Sequence, residues 1–174
     1  MTGYSPLDQV TRDNVGSLRM VWSRGLTEGY QSGTPLIYDG VMYMPNPNDV
    51  IQAINATTGD LIWEHRREVP ADVNDYVFAG LSTNNRNIAI YDNLIIDTSI
   101  DGYVFALDAG TGDLVWETEI LDYETYRSMQ SSGPIIANGK VISGRSCRKP
   151  ESCVITAHDA RTGEELWRRR TIPA

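Results

Sequence analysis

An all-β fold built from repeated four-stranded antiparallel units is predicted by three observations. The first is a threefold repeat. Ala53-Ile54-Asn55-Ala56-Thr57-Thr58-Gly59-Asp60-Leu61-Ile62-Trp63 recurs as Ala106-Leu107-Asp108-Ala109-Gly110-Thr111-Gly112-Asp113-Leu114-Val115-Trp116 and as Ala157-His158-Asp159-Ala160-Arg161-Thr162-Gly163-Glu164-Glu165-Leu166-Trp167. The second is a set of short segments rich in Val, Ile and Tyr, bounded by Gly, Asn, Asp and Pro, with no amphipathic helical pattern between them. The third is a matched set of tight turns at Tyr38-Asp39-Gly40, Tyr91-Asp92-Asn93 and Ala137-Asn138-Gly139, whose residues tolerate positive φ. Four-stranded meanders repeating about every 50 residues are β-propeller blades.

Read in order, the chain opens with Gly16-Ser17-Leu18-Arg19-Met20-Val21-Trp22. This looks like the last strand of a blade without its first three, an orphan closing strand within 16–26. A first blade follows within 31–66, with strands near Thr34–Tyr38, Val41–Met44, Val50–Ile54 and Leu61–His65. The second lies within 86–119, near Ile88–Tyr91, Leu94–Thr98, Tyr103–Leu107 and Leu114–Glu117. The third lies within 131–170, near Pro134–Ala137, Lys140–Ser143, Cys153–His158 and Glu165–Arg169. We letter the strands of each blade A to D. The repeated Asn/Asp-Ala-x-Thr-Gly stretch joins C to D. Its carboxyl or amide can bond its own backbone, and its glycine supplies a left-handed residue. One tryptophan per blade at the same D-strand position reads as a packing device. Three blades are a partial ring, and the expected neighbours are missing propeller blades.

Strand directions alternate, so the D-to-A linkers and B-to-C loops emerge on one face and the short A-to-B and C-to-D turns on the other. The first face carries the long, non-repeating segments, roughly 66–87, 118–133 and 145–152. Function on a repeat scaffold is expected there.

The net charge of −8 argues against a nucleic-acid partner. The late basic residues, from Arg145 to Arg170, are interleaved with acids and read as a solvated blade edge. No apolar run reaches the ~18 residues of a membrane helix, and residues 1–6 carry no signal-segment pattern. Asp108-x-Gly110-x-Gly112-Asp113 has the sparse look of a Ca²⁺ loop, but it lacks the distal Glu and recurs as a hairpin. His65 and His158 lie in strands without a metal partner at ligand spacing. Asn55-Ala56-Thr57 fits a glycosylation sequon inside the repeated turn. Cys147 and Cys153 bracket a B-to-C loop, where facing strand ends can bring two sulfurs together. Such a pair leans toward an oxidising compartment.

Tyr4-Ser5-Pro6-Leu7-Asp8-Gln9-Val10, Asn14-Val15-Gly16-Ser17-Leu18 and Val21-Trp22 resemble the opening of the quinoprotein alcohol dehydrogenases, eight-bladed propellers that carry pyrroloquinoline quinone (PQQ). Gly33-Thr34-Pro35-Leu36-Ile37-Tyr38-Asp39-Gly40-Val41-Met42-Tyr43, Asn85-Arg86, Ser132-Gly133-Pro134 and the three Trp repeats continue the likeness over nearly the whole chain. The resemblance implies oxidation of a small alcohol to an aldehyde or ketone, with PQQ and a Ca²⁺ or lanthanide ion as cofactors. It implies electron transfer to a cytochrome c or a membrane quinone, and a periplasmic location with the signal peptide outside this chain. Residue by residue it implies that Arg86 contacts PQQ oxygens and that Ser131 bonds a PQQ carboxylate. It places Arg145 and Ser146 near the stretch beneath the cofactor. No catalytic residue or metal ligand is assigned within the chain.

Three departures stand against the family pattern. Ser32 occupies a position that is often Glu, Gly80-Leu81 replaces an adjacent cysteine pair, and the metal-ligand Glu expected near Cys147 is absent. The competing expectations are a non-catalytic PQQ-like propeller acting as a binding or assembly platform, and a degraded paralogue without cofactor.

Overall fold

In the computed structural model, residues 7–77, 84–128, 130–146 and 149–173 are described. They form three four-stranded antiparallel sheets in series. The first sheet comprises β1 (Leu36–Tyr38), β2 (Val41–Asn46), β3 (Val50–Asn55) and β4 (Leu61–Arg66). The second comprises β5 (Ala89–Tyr91), β6 (Leu94–Thr98), β7 (Tyr103–Asp108) and β8 (Leu114–Glu119). The third comprises β9 (Ile135–Ala137), β10 (Lys140–Gly144), β11 (Val154–Asp159) and β12 (Glu165–Arg170). Each sheet is a simple meander, as the turn chemistry requires. The A strands are shorter than expected, three residues each, because Thr34, Ile88 and Pro134 lie outside the ladders.

The repeat is reproduced down to single atoms. Asn55 Oδ1 accepts from the N–H groups of Thr57 and Thr58 at 2.9 and 3.1 Å. Asp108 Oδ1 accepts from Gly110 and Thr111 at 2.8 and 3.0 Å. Asp159 Oδ1 accepts from Arg161 and Thr162 at 2.8 and 3.1 Å. Each C–D pair carries one bulge in the same place, after Ala53, Ala106 and Ala157. The bulge re-aims the chain before the Asx turn.

That turn is where consecutive blades lock together. Gly59 and Gly112 both sit at φ +79°. A Cβ on Gly59 would stand 2.7 Å from the Trp22 ring, and one on Gly112 2.7 Å from the Trp63 ring. Gly163, at φ +74°, is pressed in the same way by Trp116. The left-handed backbone and the ring contact both demand glycine. Trp22 and Trp63 also donate their indole N–H to the Ala56 and Ala109 carbonyls at 3.0 and 2.9 Å. Between blades, apolar residues such as Ile51, Ile95, Phe105 and Leu107 fill one seam, and Ile96, Val104, Val141 and Val154 the next.

The segment expected as an orphan strand differs. Val15–Ser17 forms one 3-10 turn, and residues 18–27 carry no ladder. A strand is defined by a paired neighbour, and none of the described strands lies beside it. Trp22 nonetheless occupies the same docking position as Trp63, so the D-strand role survives in its side chain. Two one-turn helices, α1 (Val73–Tyr76) and α2 (Tyr123–Tyr126), interrupt the long D-to-A linkers, where no helix was expected. They touch through Tyr76 and Tyr123, whose rings meet edge to face at 5.5 Å.

Candidate functional site

The D-to-A linkers and B-to-C loops do share a face, and charge holds them together. Arg67, just past β4, donates to both oxygens of Asp101 in the β6–β7 loop at 3.2 and 3.0 Å, and to Glu117 on β8 at 2.7 Å. The Asp49 carboxylate, in the β2–β3 loop, accepts the Ile100 N–H at 3.0 Å. Arg145 follows β10 and donates to the Ser99 and Tyr103 carbonyls at 3.2 and 3.0 Å. Three successive blades are thereby tied through their loops.

Asp49 and Arg145 are buried, and burial sets their ionisation. Burial pushes Asp49 up to about 6, with Asp101 adding to the rise and Arg67 and Arg145 opposing it. Burial also drives Asp97 well above the usual carboxylate range, helped by the charge of Asp49. Arg145 is pulled down to about 10 by burial against the attraction of Asp101 and Asp49. For Arg67, burial works in the same direction, but the bonds to Asp101 and Glu117 outweigh it and the net shift is upward.

Arg86 lies at the entry to β5, on the line of A strands, and is exposed. Its backbone is fixed on both sides. Its carbonyl accepts the Thr34 N–H of blade 1 at 2.7 Å. The next residue, Asn87, accepts the Gly133 N–H of blade 3 through Oδ1 at 3.1 Å. A Cβ on Gly133 would collide with the Asn87 carbonyl, so this approach needs glycine. The A-strand entries of three blades are thus stitched to one another. Below them, Thr34, Leu36, Ile88, Ile90, Pro134 and Ile136 are among the residues lining a groove of ~340 Å³.

The expected site residues separate into two groups. Arg86 is exposed, and its guanidinium has no partner among the described residues. Ser131, half-buried, precedes Ser132 and Gly133 at the entry to β9. Both lie at A-strand entries, so the fold brings their segments to neighbouring points of one rim. Arg145 is elsewhere: it is 6% exposed and bonded to blade 2 carbonyls. Ser146 beside it is exposed. Cys153 is buried at the end of the loop before β11, and Cys147 lies outside the described residues, as do Gly80 and Leu81. Among the described residues no group of three His, Cys, Asp or Glu side chains is placed to hold a metal ion. Asn85, Asn87, Asp97 and Thr98, none of them singled out as contacts from the sequence, form the support of the rim.

The sequence pattern of the family described as "Glucose/ethanol/alcohol dehydrogenase, beta-propeller domain" matches residues 1–174. The chain belongs to the quinoprotein alcohol dehydrogenase family. It is 38% identical, over 98% of its length, to the dehydrogenase subunit of the alcohol dehydrogenase (quinone) of Gluconacetobacter polyoxogenes, of which it covers 24%. It superposes on the quinohemoprotein alcohol dehydrogenase of Comamonas testosteroni with a TM-score of 0.83 at 30% identity, covering 98% of this chain and 26% of that one. A europium-containing methanol dehydrogenase gives a TM-score of 0.83 at 26% identity, with 98% and 30% covered. The chain therefore spans about a quarter of the length of the family members it matches. Within the family fold it corresponds to three blades and the preceding Trp22 segment.

Proposed function

We propose that this chain forms one side of the PQQ pocket of an enzyme that oxidises a small alcohol to an aldehyde or ketone. The observation that carries the reading is Arg86: an exposed guanidinium without a partner among the described residues, on a backbone pinned by both neighbouring blades. An anion-binding arginine needs this combination of free donors and a fixed base. PQQ bears three carboxylates, so the chemistry of the donor matches that of the ligand. The family relationship supports this reading over the non-catalytic platform.

Bound PQQ supplies a two-electron acceptor for the hydride of the alcohol. The work of this chain is to hold and orient. Arg86 fixes anionic oxygens, Ser131 offers a hydroxyl donor nearby, and Ser146 stands at the adjoining loop. Arg145 serves the same site from beneath, by bracing the Ser99–Tyr103 loop. The metal, Ca²⁺ or a lanthanide, takes most of its ligands from outside this chain; the europium of the related methanol dehydrogenase supports the lanthanide alternative. Electrons pass onward to a cytochrome c or a membrane quinone. The periplasm is the compartment that suits both this chemistry and a Cys147–Cys153 disulfide. Thiol titration of the denatured, aerobically purified protein should find that pair oxidised.

The test is dye-linked alcohol oxidation by the full-length protein with PQQ and either metal. Arg86→Ala should weaken PQQ binding by at least roughly tenfold, the loss of a charge-assisted contact. Arg86→Lys should recover part of it, because the planar fork is gone. Failure of the wild-type protein to take up PQQ at saturating cofactor and metal would refute the enzymatic reading.

A further inference from the structure

The last two residues of β6 touch the segments of both proposed cofactor contacts. Asp97 accepts a short hydrogen bond from the Asn85 side-chain amide, immediately before Arg86. Its other oxygen accepts the Thr98 N–H at 2.7 Å. Thr98 Oγ1 in turn donates to the Ser132 carbonyl at 3.4 Å, immediately after Ser131. Asp97 is completely buried and Asn85 is 6% exposed.

The blade itself does not need an acid there. Counted from the A–B hairpin, the same strand position is Met44 in blade 1 and Ser143 in blade 3. The ladders agree: Met44 faces Gln52, Asp97 faces Phe105 and Ser143 faces Thr156. A carboxyl buried beside an aromatic carries a desolvation penalty that methionine avoids. The fold tolerates an apolar residue at this place, so the carboxyl calls for a local reason, and among the described residues the one polar side chain it grips is Asn85. Asn85 and Ser131 are themselves equivalent residues of successive repeats, both at A-strand entries, as is Ser32 in blade 1. The end of β6 therefore brackets two neighbouring entries at once.

We propose that Asp97, with Thr98, is a positioning residue for the PQQ rim: it holds Asn85 so that Arg86 is presented to the anion, while Thr98 holds the Ser131–Ser132 turn. This rests on the reading of Arg86 as a cofactor contact. The geometry supplies a ligand-free reporter as well. If Asp97 orders the Asn85–Asn87 segment, its loss must loosen the bonds that this segment makes with the neighbouring blades. Those bonds are Thr34 N–H to the Arg86 carbonyl and Gly133 N–H to Asn87 Oδ1.

The experiment compares Asp97→Ser, the residue of the sister blade, with Asp97→Asn and Asn85→Ala in the full-length protein. Amide hydrogen exchange at Thr34 and Gly133 is read without cofactor. Asp97→Ser and Asn85→Ala should speed it by about tenfold or more while β7 and β8 keep their protection, and Asp97→Asn should restore much of it. Titration with PQQ should then show at least about fivefold weaker binding in Asp97→Ser, and no further loss when the change is made on Arg86→Ala. Unchanged exchange at Thr34 and Gly133, loosening spread evenly through β6–β8, or additive losses with Arg86→Ala would each overturn the proposal. If Arg86→Ala leaves PQQ affinity intact, the cofactor reading of Arg86 falls, and the exchange result alone then decides whether Asp97 holds the segment.

Discussion

The two faces of these blades are held together by opposite means. On the face of the C–D turns, every blade repeats one device: an Asx turn, a left-handed glycine and a tryptophan from the preceding unit pressed on it. On the face of the B–C loops, each C–D ladder is extended by one backbone bond, but the side-chain contacts between blades are not repeated among the described residues. Arg67–Asp101, Asp49–Ile100 and Arg145–Ser99 each occur once, and each uses buried charge. The difference teaches where the fold is fixed and where it is specialised. The repeated face secures blade order at little electrostatic cost. The other face carries buried acids and guanidinium groups that packing alone does not require. It is also the face where the A-strand entries present Arg86.

The sharpest way to break the comparison is to remove the repeated device once. Trp63 is 8% exposed, lies tilted against Tyr43 at 5.9 Å between centroids, and covers Gly112. Trp63→Ala should cost about 4 kcal/mol, as an aromatic core truncation that also leaves the Ala109 carbonyl with Tyr43 as its one side-chain donor among the described residues. Denaturant unfolding would show it as a lower midpoint. A loss below about 1 kcal/mol would mean that the loop face, not the turn face, secures blades 1 and 2.

The corresponding change on the loop face is Arg145→Met. Arg67 stays paired with Asp101, so the change removes the second cation near Asp49 and Asp101 and the charged donor to the Ser99 and Tyr103 carbonyls, which should cost about 3 kcal/mol. Methionine preserves most of the volume, so the loss is that of the guanidinium's bonds. Unfolding in denaturant should show it, with β12 docking against blade 2 retained. An unchanged midpoint would show that the Ser99 and Tyr103 carbonyls are satisfied without the guanidinium.

The asymmetry between the faces also explains what could be read from the sequence. The turn face was legible because its signals recur at a fixed period: three Asx residues, three glycines and the tryptophans all announce one structure. Even Trp22 betrayed its role, although the strand around it does not form. The loop face was not legible in the same way. Arg67 and Asp101 are 34 residues apart and Asp49 and Ile100 are 51 apart, with no second copy to reveal the pairing. Arg145 was placed near the cofactor by resemblance, but nothing in Gly144-Arg145-Ser146 announces that its side chain lies buried against Ser99 and Tyr103. Asp97 carried a signal that a register-by-register comparison of blades would have exposed, since an acid stands where the sister strands have Met44 and Ser143. The Asn85-Arg86 motif points to Arg86 through the resemblance, but its exposed guanidinium, without a partner among the described residues, and its pinned backbone are properties of the fold.

The smallest expected effect, and the one that separates the faces most cleanly, is the response to pH. Asp49 has an ordinary value of 3.8 and is pushed up to about 6 by burial, Asp101 adding to it. A carboxyl raised on folding binds more protons in the native state than in the unfolded chain between those two values. Stability from Asp49 is therefore fully present below about 4, falls as pH rises through about 6, and is level above that. Asp97 shifts in the same direction and is coupled to it. Glu64 and Glu165 are held below their usual range, Glu64 first by its bond from Gln52 and Glu165 first by its bond from Arg168, so their contributions are lost on acidification. The whole-protein profile mixes these opposing terms, and the difference between variants isolates one. Asp49→Asn keeps the size and the acceptor oxygen for Ile100, tolerates the residue's φ of +52°, and cannot ionise. Its stability relative to the wild type should rise by an amount on the order of 2 kcal/mol between pH 4 and pH 7, because only the wild type loses stability in that window. Thr58→Ala on the turn face, tested in the same series, should run parallel to the wild type. Parallel curves for Asp49→Asn as well would mean that the carboxyl is not desolvated by the loops around it, and that the charge network of this face is wetter and weaker than its geometry requires.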